Sequence, residues 1–113
     1  MKLKLKSLGL PCKTGELKRM VRDQNTKKDA LETVGHGIAE VYFQETNGVI
    51  ETTGLIGVKY MAYIPARVMN MSFKLNDQIK IQDQIYSIVS SQTMLDSPDI
   101  ETHFVLELKK INA

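Results

Sequence analysis

Short runs of alternating β-forming residues, separated by turn residues, constrain the fold of this chain more than any other feature. The clearest runs are 38–43, 58–64, 78–82, 85–89 and 103–108. Such runs predict strands with one buried face. Closely spaced short strands with little helical periodicity between them predict an all-β fold. We expect a small β-barrel or sandwich of about six to eight strands, with room for one short helix and a long hairpin loop.

The two-residue period of a strand assigns the inward-facing side chains. We expect Ala39, Val41 and Phe43 to share the core face of one strand. Pro65 should end the strand at 58–64, because proline cannot donate to a sheet ladder. The last strand is predicted to bury Phe104, Leu106 and Leu108.

Turn residues divide these strands. Asn47-Gly48 is a strong turn signal, so the polar segment 44–54 is predicted to be a projecting hairpin or a long loop. Asn76-Asp77 marks a second turn. Asp83-Gln84 is predicted to be the tight connection that folds the next two runs into a hairpin.

The first third of the chain is harder to interpret. Residues 2–6 alternate strictly between lysine and leucine, which predicts a strand with one solvent-exposed face. The segment 16–22 is consistent with either a short helix or an irregular strand. The pattern over 13–35 therefore leaves this part of the chain unassigned.

Length and cysteine content exclude several classes of protein. The chain has 113 residues, which suits a single domain spanning 1–113. Cys12 is the only cysteine, so the chain has no internal disulfide and no thiolate-rich zinc site. The start of the chain lacks the apolar stretch of a secretory signal, and no apolar run is long enough to span a membrane.

Charge is distributed unevenly along the chain. Residues 1–28 carry a net charge of +7, whereas residues 29–113 carry −5. We therefore predict that 1–28 forms a basic N-terminal arm or extension that faces something acidic. That partner could be nucleic acid, an acidic protein surface or the acidic remainder of the chain itself. The arm residues expected to contact another subunit or DNA are Lys2, Lys4, Lys6, Lys18, Arg19, Arg22, Lys27 and Lys28.

Residues able to carry chemistry are sparse. His36 and His103 are far apart and lie in no metal-binding or catalytic motif, so we expect structural roles for both. Aspartate pairs such as Asp96 and Asp99 lie in turns, where their local hydrogen bonds are favourable. No glycine-rich phosphate loop is present. We therefore expect no enzymatic activity, no catalytic residue, no metal and no cofactor.

A small basic barrel could also bind nucleic acid without sequence preference. Such domains stack bases on exposed aromatic rings flanked by basic residues. The seven aromatic residues include no tryptophan. Four of them lie within predicted strands, where a core position is the simpler expectation: Tyr42, Phe43, Tyr60 and Tyr63. Any contact with DNA would then run through phosphates. This function remains the alternative to the one that follows.

The C-terminal half resembles a known family. A strand ends at Pro65, and a polar turn contains Asp77. A hairpin follows with Ile79 and Tyr86 at fixed spacing from that aspartate, and a final strand spans 104–110. Over 36–111 this order is similar to the head-completion proteins of tailed bacteriophages, namely the head-closure (stopper), head–tail joining and small minor capsid proteins. His103, Glu107 and Leu108 match the end of that pattern loosely.

The resemblance implies a structural virion protein of the phage neck, or connector. Such proteins are small β-barrels that form a ring below the portal or adaptor, close the DNA-filled head and present the tail attachment surface. It further implies a homo-oligomeric ring, a portal or adaptor protein above, a tail protein below, packaged DNA in the channel and no membrane partner. The protein would be made in the host bacterial cytoplasm and reside at the head–tail junction. Other neck roles, as adaptor or tail terminator, stay open.

Within that function, the hairpin segment is the candidate channel or gating loop. Its glycines would permit hinge motion and its tip carries few charges. The residues assigned to it are Glu45, Thr46, Asn47, Gly48, Val49, Ile50 and Glu51.

Overall fold

A computed structural model of the chain describes residues 3–22, 25, 27–33, 37–49, 56–68, 73–74, 76–94 and 99–111. Within these ranges there are seven strands: β1 (Cys12–Arg22), β2 (Asp29–Thr33), β3 (Ile38–Val49), β4 (Ile56–Pro65), β5 (Gln78–Ile81), β6 (Gln84–Met94) and β7 (His103–Lys110). The same ranges contain two 3₁₀ helices, which cover Leu5–Leu8 and Ala66–Val68. The all-β prediction is confirmed, and the architecture is a barrel.

Six strands form the closed ring. They follow one another around the barrel as β1-β3-β4-β7-β6-β5, and the pairing of β5 with β1 closes it. Every pairing is antiparallel. Closure removes the open edges that a flat sheet of six strands would present.

Strand β1 closes the barrel and also extends beyond it. Gly15 is aligned with Ile38 of β3 and with Ile81 of β5, so β3 and β5 lie on opposite edges of β1. Lys18 is aligned with Thr33 of β2 on one edge and with β5 on the other. Residues 12–22 of the predicted basic arm therefore lie in a barrel strand. Of the two alternatives for 16–22, the irregular strand is the one observed.

Along most strands, every second side chain points into the barrel interior and fills it. Leu106 and Leu108 are buried and Phe104 packs against them, as predicted. The core cluster consists of Leu17, Ile38, Val41, Phe43, Ala62, Ile64, Phe73, Ile79, Ile81, Tyr86, Ile88, Leu106 and Leu108. Burial of this apolar surface is the main favourable contribution to folding.

Ala39 does not share the core face with its predicted neighbours. Val41 and Phe43 are buried, but Ala39 is exposed and Ile38 takes the inward position. The cause is an extra residue in β3. Val41 is aligned with Lys13 of β1 and Ile38 with Gly15, so three residue intervals in β3 lie opposite two in β1. A β-bulge of this kind reverses the alternation of side chains.

The Asn47-Gly48 turn prediction is wrong. Both residues lie in β3, aligned with Val58 and Gly57 of β4. The ladder continues to Val49 and Ile56, so the connection falls in 50–55, outside the described residues. A ladder that keeps gaining hydrogen bonds outweighs a local dipeptide preference. The hairpin itself was predicted correctly.

Two further turns occur where the sequence predicted them, but the second is shifted by one residue. Asn76 adopts a left-handed conformation, with φ of 72°, in the turn before β5. The β5–β6 hairpin turns at Gln82-Asp83 instead of Asp83-Gln84, and Gln82 has φ of 55°. Aligning Ile81 with Gln84 leaves those two residues as the turn.

The N-terminal segment is not the predicted strand. Leu3 makes a single parallel bridge to Ile100, and the following residues coil into the first 3₁₀ helix, which ends at Gly9 with φ of 77°. The backbone of Leu3 forms hydrogen bonds with those of Asp99 and Glu101. Among the described residues, this contact does not extend far enough to pair with an N-terminal strand over 2–6. Leu5 is fully buried in this segment.

Candidate functional site

The basic residues assigned to the arm lie on three segments. Lys4 and Lys6 are exposed on the N-terminal segment. Lys27 and Lys28 are exposed immediately before β2. Lys18, Arg19 and Arg22 lie along β1; the side chain of Arg22, and Lys2 altogether, fall outside the described residues. The described residues of the arm are therefore distributed over three segments of the chain.

Arg19 forms an ion pair inside its own chain. Its Nε donates to Asp77 Oδ1 at 3.0 Å and its Nη2 to Asp77 Oδ2 at 2.8 Å. The carboxylate also accepts the backbone N–H of Lys74 at 2.9 Å and is almost completely buried. Two parallel bonds from a guanidinium fork hold a carboxylate in one orientation. Arg19 thus ties β1 to the turn that precedes β5.

The electrostatics of this pair follow from its surroundings. Burial alone would raise the pKa of Asp77, but the hydrogen bonds from Arg19 and from the N–H of Lys74 outweigh that effect and hold the pKa below its usual value. The same contact raises the pKa of Arg19. Asp77 was recognised in the sequence only as a turn residue, because its partner lies 58 positions away.

Lys18 also has partners within its chain. Its Nζ lies 3.1 Å from the Thr33 hydroxyl of β2 and 3.8 Å from Glu16. An exposed pair at this distance contributes little to stability. Neither partner is an acidic residue of 29–113, so among these contacts only the Arg19–Asp77 pair joins the basic segment to the acidic remainder of the chain.

A second charged network joins three parts of the chain at Arg67. Its guanidinium binds both carboxylate oxygens of Glu40 in β3, and its Nε donates to Glu101 Oε1 at 3.0 Å. Glu40 accepts the Tyr42 hydroxyl at 2.6 Å. The other oxygen of Glu101 accepts the backbone N–H of Leu5 at 2.7 Å. The network links β3, the second 3₁₀ helix and the stretch before β7, and Glu101 extends it to the N-terminal segment.

This network keeps Glu40 ionised to low pH. The hydrogen bonds from Arg67 and then from Tyr42 lower its pKa to about 2, against the opposing effect of burial. The bond to Glu40 raises the pKa of Tyr42. No motif in the sequence indicated this cluster, because its members are 27 and 34 positions from Arg67.

The described part of the candidate gating loop is a paired strand. Glu45, Thr46 and Asn47 are exposed, and β3 continues through Gly48 to Val49 alongside β4. Ile50 and Glu51 lie outside the described residues. Because β7 pairs with β4 only as far as Tyr60, the hairpin beyond that residue projects past the rim of the barrel.

Aromatic rings line the interior near this rim. The rings of Phe43, Tyr60 and Tyr86 have centroids 5.4–5.8 Å apart, and the Lys13 ammonium lies 5.0 Å from the Phe43 ring centroid. These spacings are typical of packed aromatic clusters and of cation–π contacts. The rings pack with the core, as the sequence suggested.

Groups that could carry chemistry remain isolated in the described residues. His103 is buried, and its Nδ1 lies 2.7 Å from the Glu101 carbonyl oxygen. Cys12 is a free, exposed thiol. His36 lies outside the described residues. No group of three or more histidine, cysteine, aspartate or glutamate side chains suited to a metal ion occurs within the described ranges.

An open groove of about 320 Å³ follows the seam of the barrel at Gly15. Its lining comes from β1, from the start of β3 and from the end of β5, and includes Glu16, Ala39 and Lys80. No helix in the described part of the chain is long and apolar enough to cross a membrane.

Comparison with known proteins found similarity in structure but no match in sequence. No protein-family model matches the chain, and no curated protein matches it. Among solved structures, the fold is similar to that of the phage-like element PBSX protein xkdH from Bacillus subtilis. The two share 9% sequence identity with a TM-score of 0.46, over 88% of this chain and 95% of the other.

Proposed function

We propose that this chain is a structural protein of a tailed-phage virion, placed in the neck. In this proposal it forms a ring below the portal or adaptor, closes the DNA-filled head and gives the tail its attachment surface. The protein catalyses no reaction. Its work is done by rigid surfaces that dock with copies of itself and with the proteins above and below.

The position of Asp77 carries this proposal. The resemblance to head-completion proteins rests on an aspartate turn followed by a hairpin. That aspartate is the residue that Arg19 binds where β1 meets β5 and the barrel closes. The aspartate of the sequence pattern is therefore a residue that this barrel needs for its Arg19–Asp77 contact. The resemblance thus has a physical basis beyond a run of hydrophobic positions.

The proposed ring needs two different patches on each subunit. Head-to-tail contacts close into a ring when one patch matches another on the next copy. We assign the basic patch to the exposed lysines, Lys4 and Lys6 on the N-terminal segment and Lys27 before β2. Complementary charge across such a contact would set register and encounter rate more than affinity. Arg19 is left out of this patch, since its guanidinium is held by Asp77.

The projecting β3–β4 hairpin is proposed to reach the channel. Its paired strands would give the tip a firm base, with Thr46 aligned with Lys59 and Lys59 lying 3.6 Å from Glu107 on the neighbouring strand. The connection between β3 and β4 would then obstruct or release the packaged DNA. Deleting 46–52 should leave ring assembly intact but allow filled heads to lose DNA.

Gene deletion tests this function in the bacterium that carries the gene. Particles made without the chain should be tailless heads that have lost their DNA, and expression from a plasmid should restore tailed, filled particles. A matched plasmid carrying Asp83→Asn, a change in an exposed turn, should restore them equally well. Normal tailed particles in the absence of the chain would contradict the proposal.

A further inference from the structure

The N-terminal segment 3–9 is attached to the barrel as a separate piece. We call this segment the strap. Its backbone makes two hydrogen bonds to the stretch before β7: the Leu3 N–H donates to the Asp99 carbonyl at 2.7 Å, and the Glu101 N–H donates to the Leu3 carbonyl at 2.9 Å. The Leu5 N–H donates to the Glu101 carboxylate at 2.7 Å. These contacts define a docking site at 99–101.

The strap has little stability of its own. Its 3₁₀ helix covers four residues, and its N-cap Lys4 provides no side-chain hydrogen bond. Helices this short do not persist in water without tertiary contacts. Leu5 is fully buried yet does not belong to the main core cluster, so it anchors the strap in a satellite site.

A hinge separates the strap from the barrel. Gly9 has φ of 77°, and a side chain placed there would meet nothing within 4 Å. Two residues later the Pro11 carbonyl accepts the N–H of Phe43, which fixes the chain to β3. Rotation at Gly9 can therefore redirect the strap without disturbing the barrel. Fully extended, the seven residues reach about 20 Å, far enough for the docking site of a barrel in contact.

From this geometry we propose that the strap is exchanged between copies of the chain. The strap of one molecule occupies the 99–101 site of the next, and Leu3 and Leu5 make the same contacts there as they make within their own chain. The occupant is a second copy, because the docking site is already shaped for this segment. Exchange of identical contacts costs little beyond the association itself.

Charge and exposure favour the exchange. Lys4 and Lys6 lie on the strap, and Glu40 and Glu101 lie at the receiving surface, where Lys4 helps to lower the pKa of Glu40. Leu8 remains 45% exposed when the strap is bound to its own barrel. In an exchanged pair this side chain can be covered by the second barrel, which adds an apolar contact that the single chain lacks. The inference concerns contact between copies and does not depend on the neck assignment.

Single-cysteine variants of the full chain test the exchange. On a Cys12→Ser background, one preparation carries Leu3→Cys and a second, mass-tagged preparation carries Ile100→Cys. Neither can form the 3–100 bond within its own chain, although Leu3 and Ile100 are bridge partners in the structure. The two are mixed at high concentration with oxidised glutathione as the electron acceptor. Mixed disulfide dimers are then counted by mass spectrometry and non-reducing electrophoresis.

The control pairs Ser7→Cys with Ile100→Cys, because Ser7 is on the same strap and exposed but is not a bridge partner. Exchange predicts about tenfold more mixed dimer for the Leu3 pair than for this control, as proximity raises effective concentration. Adding Leu5→Ala should lower that yield, since it removes the anchor. Equal yields for the two pairs, or a Leu3 yield that Leu5→Ala does not change, would overturn the proposal. A Leu3→Cys/Ile100→Cys double variant, oxidised at high dilution where exchange is suppressed, should close within one chain, which verifies that positions 3 and 100 are close enough for a disulfide.

Discussion

At the scale of single residues, the barrel depends most on one buried carboxylate. Asp77 receives two bonds from Arg19 and one from the Lys74 backbone while being 3% exposed. Removing one partner of such a pair leaves the other without compensation, and that loss exceeds what the intact pair contributes.

Asp77→Asn should therefore destabilise the fold by about 2–4 kcal/mol in urea denaturation, because the Arg19 guanidinium loses its counter-charge. Asp83→Asn is the matched control: it makes the same chemical change at an exposed turn position and should alter stability by less than about 0.5 kcal/mol. Equal effects of the two substitutions would show that the Arg19 contact does not hold the barrel together.

Stability should also fall in acid through Glu40. The pKa of this carboxyl is about 2 in the folded chain, against an ordinary value of 4.5. A lowered folded-state pKa stabilises the fold above the ordinary value, and that stabilisation is lost as pH falls through the window from 4.5 to 2. The lowered pKa of Asp77 acts in the same direction.

Glu40→Gln should remove part of this pH dependence. The variant is expected to be less stable than the natural chain at pH 7, with the difference in urea midpoint shrinking steadily towards pH 2. Arg67 is half exposed, so solvent screening will keep the difference modest. A difference that is the same at both ends of the pH range would contradict the assignment of the Glu40 pKa to its bonds with Arg67 and Tyr42.

At the scale of elements, the closure of the barrel depends on the close approach of three strands at Gly15. A Cβ at this position would lie 3.3 Å from the Lys80 carbonyl oxygen of β5 and 3.3 Å from Val41 of β3. One of these neighbours is backbone held in a ladder, so it can move little.

Gly15→Ala is expected to cost about 1 kcal/mol of stability through this crowding. Gly37→Ala provides the control, since a Cβ there would meet only the Gly15 carbonyl oxygen at an ordinary 3.7 Å. That substitution should be neutral or slightly stabilising, because it restricts the unfolded chain. If urea denaturation ranks the two variants in the opposite order, the seam is not tightly packed at Gly15.

The same elements show how far the sequence alone could lead. Alternation and turn residues predicted β4, β7 and the β5–β6 hairpin, because these depend on local patterns of burial. The exposure of Ala39 depends on an extra residue in β3 opposite β1, which only the pairing defines. The Arg19–Asp77 and Arg67–Glu40 contacts join residues that are distant in the chain, so no local spacing could indicate them.

At the scale of the whole molecule, the charge asymmetry is partly satisfied within the chain. Arg19 is paired with Asp77, and Lys18 lies near Glu16 and Thr33. The net charge is only +2. Sequence-independent binding to DNA requires several cations that release counter-ions from phosphates.

The purified chain should therefore show little retention on duplex DNA at physiological salt. Fluorescence anisotropy of a labelled duplex, titrated with the chain at increasing salt, measures this directly. A strong signal whose logarithm falls steeply with the logarithm of salt would favour the alternative function, a sequence-independent nucleic-acid-binding barrel.

We have proposed that this chain is a passive structural part of the phage neck. Cryo-electron microscopy of intact particles, with the chain carrying a small density label, tests it most directly. The account predicts a ring of labels at the junction between head and tail and nowhere else. Labels on the capsid shell, along the tail or absent from the particle would contradict it.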